Sequence, residues 1–167
     1  GRIINTTSAA GLYGNFGQSN YSAAKLALVA FSKTLGIEGE KYNILANSIA
    51  PVAASKMTET VMPPEMLENL RPDYVVPLVA YLTSAQNQNV NGEVFECGAG
   101  FYAMLRRERS HGHVFRTDKS FTPEAISEQL DTILDFDESP EYPRRITDAN
   151  YLELLDRAKS APENKQG

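Results

Sequence analysis

Along the first 97 residues, short β-branched runs alternate with helical periodicity, and no other feature of the sequence constrains the fold as tightly. Arg2-Ile3-Ile4-Asn5-Thr6-Thr7 predicts a buried strand, followed by a loop rich in Ser, Ala and Gly that holds Gly11, Gly14 and Gly17. Residues 19–41 then place Ala23, Ala24, Leu26, Ala27, Val29, Ala30, Phe31 and Leu35 at spacings that wrap more than one face of a helix. Residues 43–50 predict a second strand, stopped at Pro51, which has no amide hydrogen to continue a ladder. Residues 73–84 predict a helix with Pro77 in its first turn, and residues 92–97 a third, alternating strand. Strand, helix, strand, helix, strand is an α/β order, with parallel strands joined by right-handed crossovers. A helix apolar on two sides needs two covers. One is the sheet, and the other is either core of the same chain or a second subunit.

Charge divides the chain near Leu105. Residues 1–105 hold 14 charged side chains and the 62 that follow hold 23, so the first part is expected to supply the core and the second a more solvated extension. In that extension Thr122-Pro123-Glu124-Ala125 reads as a capped helix start, with Ile126, Leu130, Ile133 and Leu134 at helical spacing behind it. Residues 139–145 read as a loop, 149–158 as a last amphipathic helix, and 160–167 as a polar, linker-like tail. Between the second strand and the second helix, residues 55–72 carry Met57, Met62 and Met66 and suggest a short helix pair or a lid. The net charge of -5 offers no broad cationic field for nucleic acid, and the apolar runs fall short of the roughly 20 residues that span a bilayer. Cys97, the single cysteine, cannot form an internal disulfide and reads as inert packing.

The chemistry concentrates at Tyr21-Ser22-Ala23-Ala24-Lys25. Residues four apart share a helix face, so the Lys25 ammonium can approach the Tyr21 phenol and favour its ionised form, as a general acid and base requires. Such a pair also occurs on ordinary solvated helices. Ser8 makes the pattern more specific: it stands 13 residues earlier at the end of a strand, where α/β folds collect ligand-binding groups. Taken alone, a serine at this position caps a loop more often than it catalyses.

Strand-end Ser8 followed by Tyr21-x-x-x-Lys25 resembles the short-chain dehydrogenases and reductases. The next strand end in that family is Pro-Gly; here it is Pro51-Val52, followed by Ala53-Ala54-Ser55-Lys56-Met57-Thr58. The stretches Leu12-Tyr13-Gly14-Asn15-Phe16-Gly17-Gln18 and Cys97-Gly98-Ala99-Gly100-Phe101, with the segment after Phe121, resemble more narrowly the dehydrogenase units of peroxisomal multifunctional β-oxidation enzymes, in a fungal-like form. The resemblance implies the C-terminal portion of a Rossmann-type, doubly wound parallel sheet with a helical C-terminal extension. Residues 1–105 would belong to the dehydrogenase core, 106–138 to a family-specific extension, and 139–167 to a loop, short helix and tail.

The implied reaction is NAD-dependent oxidation of (3R)-3-hydroxyacyl-CoA to 3-oxoacyl-CoA. Tyr21 would deprotonate the hydroxyl, Ser8 would hold the same oxygen, and Lys25 would also bond the nicotinamide ribose. Pro51, Ala53, Ala54, Ser55, Lys56 and Thr58 would line the cofactor pocket. The family's phosphate-binding glycine loop precedes its catalytic serine, so an N-terminal half is expected to be missing here, along with a fused hydratase domain. The resemblance further implies a peroxisomal location, while the alanine-rich side of the 19–41 helix suits a homodimer formed through it. His111 and His113 lack a third metal-ligand pattern, and Arg106, Arg107 and Arg109 could meet a CoA phosphate or simply be solvated. Two other functions stay open. One is a generic reductase such as a 3-oxoacyl-carrier-protein reductase; the other is a catalytically incompetent fragment that serves as a dimerisation module.

Overall fold

A computed structural model describes residues 1–54, 63, 67, 70–118, 122–137, 140–149 and 151–161. They form two compact units, Gly1–Arg106 and Arg107–Gly167. In the first unit a four-stranded sheet runs in chain order: β1 (Arg2–Thr6), β2 (Leu45–Pro51), β3 (Val94–Gly98) and β4 (Phe101–Leu105). β1, β2 and β3 are mutually parallel, and β4 returns antiparallel along β3.

Side-chain alternation shows how the sheet is covered. Asn5 and Ser48, register partners on β1 and β2, reach α2 (Ser19–Gly39): Asn5 Nδ2 donates to Ser32 Oγ at 2.8 Å and Ser48 Oγ to the Leu28 carbonyl at 3.4 Å. Their chain neighbours Ile4 and Ile49 point the other way, into a core shared with Leu82, Val75, Leu78 and Val79 around the helix we label α3 (Val76–Thr83), and with Cys97. Helices therefore lie on both faces, the α/β arrangement expected from the sequence. β2, the inner parallel strand, is buried along all but its last residue, and its two central polar side chains are satisfied there, Ser48 as above and Asn47 by donating from Nδ2 to the Val90 carbonyl at 2.8 Å.

Several elements differ from the sequence expectation. The loop after Ser8 contains a short helix, α1 (Ala9–Tyr13), started by Ser8 and ended at Gly14 with φ 79°. Pro51 does not precede the break but forms the last residue of β2, where no further ladder donor is needed. β4 is not evident from the sequence. Its hairpin turns on Ala99 and Gly100, with φ 50° and 78°, and two positive φ values match the right-handed strand twist.

In the second unit one expected helix is two, α4 (Pro123–Glu128) and α5 (Leu130–Leu134), broken at Gln129 with φ -103° and ψ 7°. Thr122 caps α4 by accepting from the Ala125 amide. The last helix, α6 (Tyr151–Ser160), begins two residues later than expected because Ile146–Ala149 forms a 3-10 turn whose Asp148 accepts from the Arg144 and Arg145 amides. Arg109 and Glu141 exchange backbone hydrogen bonds at 2.8 Å and add an ion pair between their side chains. Among the described residues no helix is long and apolar enough to cross a membrane.

Candidate active site

The C-terminal end of β1 and the first turns of α2 meet around Lys25. Its ammonium donates to the Thr6 carbonyl at 3.0 Å, while Thr7 Oγ1 donates back to the Lys25 carbonyl at 2.6 Å. Both bonds tie the helix to the strand end that carries Ser8. Lys25 Nζ stands 5.7 Å from the centre of the Tyr21 ring, so the tyrosine and lysine share the face that their spacing predicts. Tyr21 is 43% exposed. Ser8 Oγ accepts from the Ala10 amide at 3.3 Å, the capping role that sequence reasoning had left beside catalysis. That bond occupies an acceptor lone pair and leaves the hydroxyl proton available to donate.

Sequence reasoning missed Gly11. A Cβ there would lie 2.8 Å from Lys25 Cβ and 2.9 Å from the Leu26 amide nitrogen, so only glycine lets α1 cross α2 at the lysine. Three glycines spread over the loop carried no sign of which one was packed. The sequence marks Thr6 and Thr7 only as strand residues, yet their carbonyl and hydroxyl respectively fix Lys25.

Thr6 leads to the next group. With Ile49, Pro51 and Ala53 at the end of β2, and with Pro72, Val75, Val76, Val79 and Ala80, it lines an apolar cleft of about 490 Å³. The Ala54 amide donates to the Leu70 carbonyl at 2.7 Å. Ser55, Lys56 and Thr58, together with Met57, Met62 and Met66, lie outside the described residues.

Val52 needs no left-handed backbone: among the described residues other than glycine, only Asn43 and Ala99 have positive φ. Its amide donates to the Cys97 carbonyl at 2.7 Å, and its own carbonyl fills the space beside Gly98, where a Cβ would come within 2.0 Å. The obligatory glycine of this strand pair is Gly98, on β3.

Burial raises the Cys97 thiol pKa, so Cys97 is a poor nucleophile. In the second unit Arg109 is engaged by Glu141, and Arg157 Nη2 lies 3.0 Å from His111 Nε2. No group of three or more His, Cys, Asp or Glu among the described residues could hold a metal ion.

Residues 1–66 match the family model described as short chain dehydrogenase. Over all 167 residues the chain is 52% identical to a peroxisomal hydratase-dehydrogenase-epimerase of Neurospora crassa, of which it covers 18%. It is 51% identical to the protein of the same name from Saccharomyces cerevisiae, covering all of this chain and 19% of that one. The chain thus spans about a fifth of the length of these curated relatives. The solved structure of full-length peroxisomal multifunctional enzyme type 2 from Drosophila melanogaster superposes with a TM-score of 0.83 at 33% identity, over 96% of this chain and 30% of that one. With the parallel sheet, the lysine tied to the strand end and the tyrosine beside it, these likenesses lead to one conclusion: residues 1–66 of the chain are similar to the short chain dehydrogenases.

Proposed function

We propose that this chain supplies the acid/base side of an NAD-dependent dehydrogenase that oxidises (3R)-3-hydroxyacyl-CoA to 3-oxoacyl-CoA in peroxisomal β-oxidation. The observation that carries the reading is identity of 52% along the whole chain to the Neurospora crassa relative. That likeness runs through residues 67–167, beyond the stretch matched by the general family model.

The cleft beside Thr6 fits the cofactor, since its apolar lining suits a flat ring and Thr6, one of its lining residues, accepts the Lys25 hydrogen bond. Pro51 and Ala53 hold the nicotinamide face, with Ser55, Lys56 and Thr58 as the further contacts proposed for it, and Lys25 the adjoining ribose. When bound, NAD supplies the hydride acceptor. Tyr21 takes the proton from the substrate hydroxyl, and Ser8 donates to the same oxygen and keeps it oriented. Lys25, held by Thr6 and Thr7, stands with its Nζ beside the tyrosine ring.

Residues 1–105 form the dehydrogenase part in this reading, 106–138 the extension particular to these multifunctional enzymes, and 139–167 the passage toward a hydratase domain. The exposed alanines of α2, Ala23, Ala24, Ala27 and Ala30, together with Phe31 at 53% exposure, support a homodimer through that helix.

The test uses the 167-residue chain extended at its N-terminus with the preceding dehydrogenase segment of the Neurospora crassa relative. NADH formation is followed with (3R)- and (3S)-3-hydroxyacyl-CoA and with a (3R)-hydroxyacyl carrier-protein thioester. Turnover of the (3R)-CoA thioester alone is expected. Preference for the carrier-protein thioester would move the assignment to a carrier-protein reductase, and absence of turnover with all three would reject the dehydrogenase reading.

A further inference from the structure

The connection from Ser8 to Tyr21 has an anchor outside its own two helices. Ser8 starts α1, Gly11 presses its middle against Lys25, and Tyr13, its last residue, donates its phenolic hydrogen to Glu96 Oε2 on β3 at 2.7 Å. Immediately beyond Tyr13 come two glycine joints. Gly14 and Gly17 have φ 79° and 74°, and a Cβ built on either would meet nothing within 4 Å. The turn between them is closed by Asn15 Nδ2 donating to Gln18 Oε1 at 2.8 Å and by the Gln18 amide donating to the Asn15 carbonyl at 3.2 Å. These bonds are local to the turn. The Tyr13 bond spans 83 residues and fastens the end of α1 to a strand of the sheet.

We propose that Tyr13 is a positioning residue: bonded to Glu96, its hydroxyl seats the C-terminal end of α1 on β3 and thereby fixes where Ser8 stands relative to Tyr21 and Lys25. The proposal rests on the dehydrogenase reading above. The hydrogen bond to Glu96 raises the Tyr13 pKa, so the phenol stays protonated, and able to donate, throughout the neutral range. Tyr13 is 64% exposed and adds little apolar burial. Its loss should therefore act on the placement of α1 more than on global folding.

Tyr13→Phe and Glu96→Ala each remove the bond; Glu96→Gln keeps an oxygen that accepts. In the 167-residue chain, amide hydrogen exchange across residues 9–13 is expected to quicken about tenfold in Tyr13→Phe and Glu96→Ala, the size of one hydrogen bond to a charged group, and much less in Glu96→Gln. Unchanged exchange in the first two variants would overturn the proposal. In the chain extended as above, kcat should fall about tenfold in Tyr13→Phe and Glu96→Ala with KM within about twofold, and Glu96→Gln should recover most of it. A loss confined to KM, or no loss, would equally overturn it. If the unsubstituted extended chain does not turn over, the dehydrogenase reading has failed, and hydrogen exchange still decides whether Tyr13 fixes α1.

Discussion

Gly98 and Ala99 are adjacent residues that both hold positive φ, and only the first is the glycine that such a backbone favours. Gly98 has φ 139° and would bring a Cβ within 2.0 Å of the Val52 carbonyl, so Gly98→Ala must push β2 and β3 apart. A loss of about 3 kcal/mol or more is expected in urea unfolding. Ala99 holds φ 50° with a side chain that disfavours it, and Ala99→Gly should raise stability by about 1 kcal/mol, read in the same titration. Cys97, one residue earlier and 0% exposed, has a thiol pKa raised by burial above its ordinary 9.0. The neutral thiol is the form the fold prefers, so its contribution is complete below pH 9 and declines as pH rises through the higher folded value. Cys97→Ala should reduce the alkaline fall in Tm between pH 9 and 11, and the native thiol should resist alkylation at pH 8.

At the scale of elements, α2 carries both the chemistry and the exposed apolar surface. Ala27→Arg places a charge on the proposed dimer face and should shift sedimentation toward the monomer while preserving helical circular dichroism; an unchanged oligomer would remove α2 from the interface. Gly11→Ala should pry α1 from α2, costing about 1–3 kcal/mol and displacing Lys25, whereas Gly14→Ala meets no neighbour and costs backbone strain alone, at φ 79° and ψ 158°. β1, α2, β2 and β3 were legible in the sequence because each has a long periodic or β-branched text that burial enforces. α1 and β4 were not. α1 is five residues long and owes its existence to a cap at each end, and β4 alternates weakly behind a turn whose first residue is alanine, not the usual asparagine or glycine. Tyr21 and Lys25 could be paired from spacing alone, whereas the carbonyl of Thr6 and the bare backbone of Gly11 act through groups that every residue or no side chain supplies.

For the molecule as a whole, the first unit gathers the ends of β1 and β2, the start of α2 and an apolar cleft into one region. The central claim is that proton transfer there runs through Tyr21. It is tested most directly by kcat for (3R)-3-hydroxyacyl-CoA oxidation in the N-terminally extended chain, with and without Tyr21→Phe. That change removes one oxygen from a 43% exposed side chain and should leave the melting temperature nearly unchanged. The account predicts that kcat drops by about 10²- to 10⁴-fold, the usual contribution of a positioned acid/base. A Tyr21→Phe enzyme that turns over at the unsubstituted rate would contradict it.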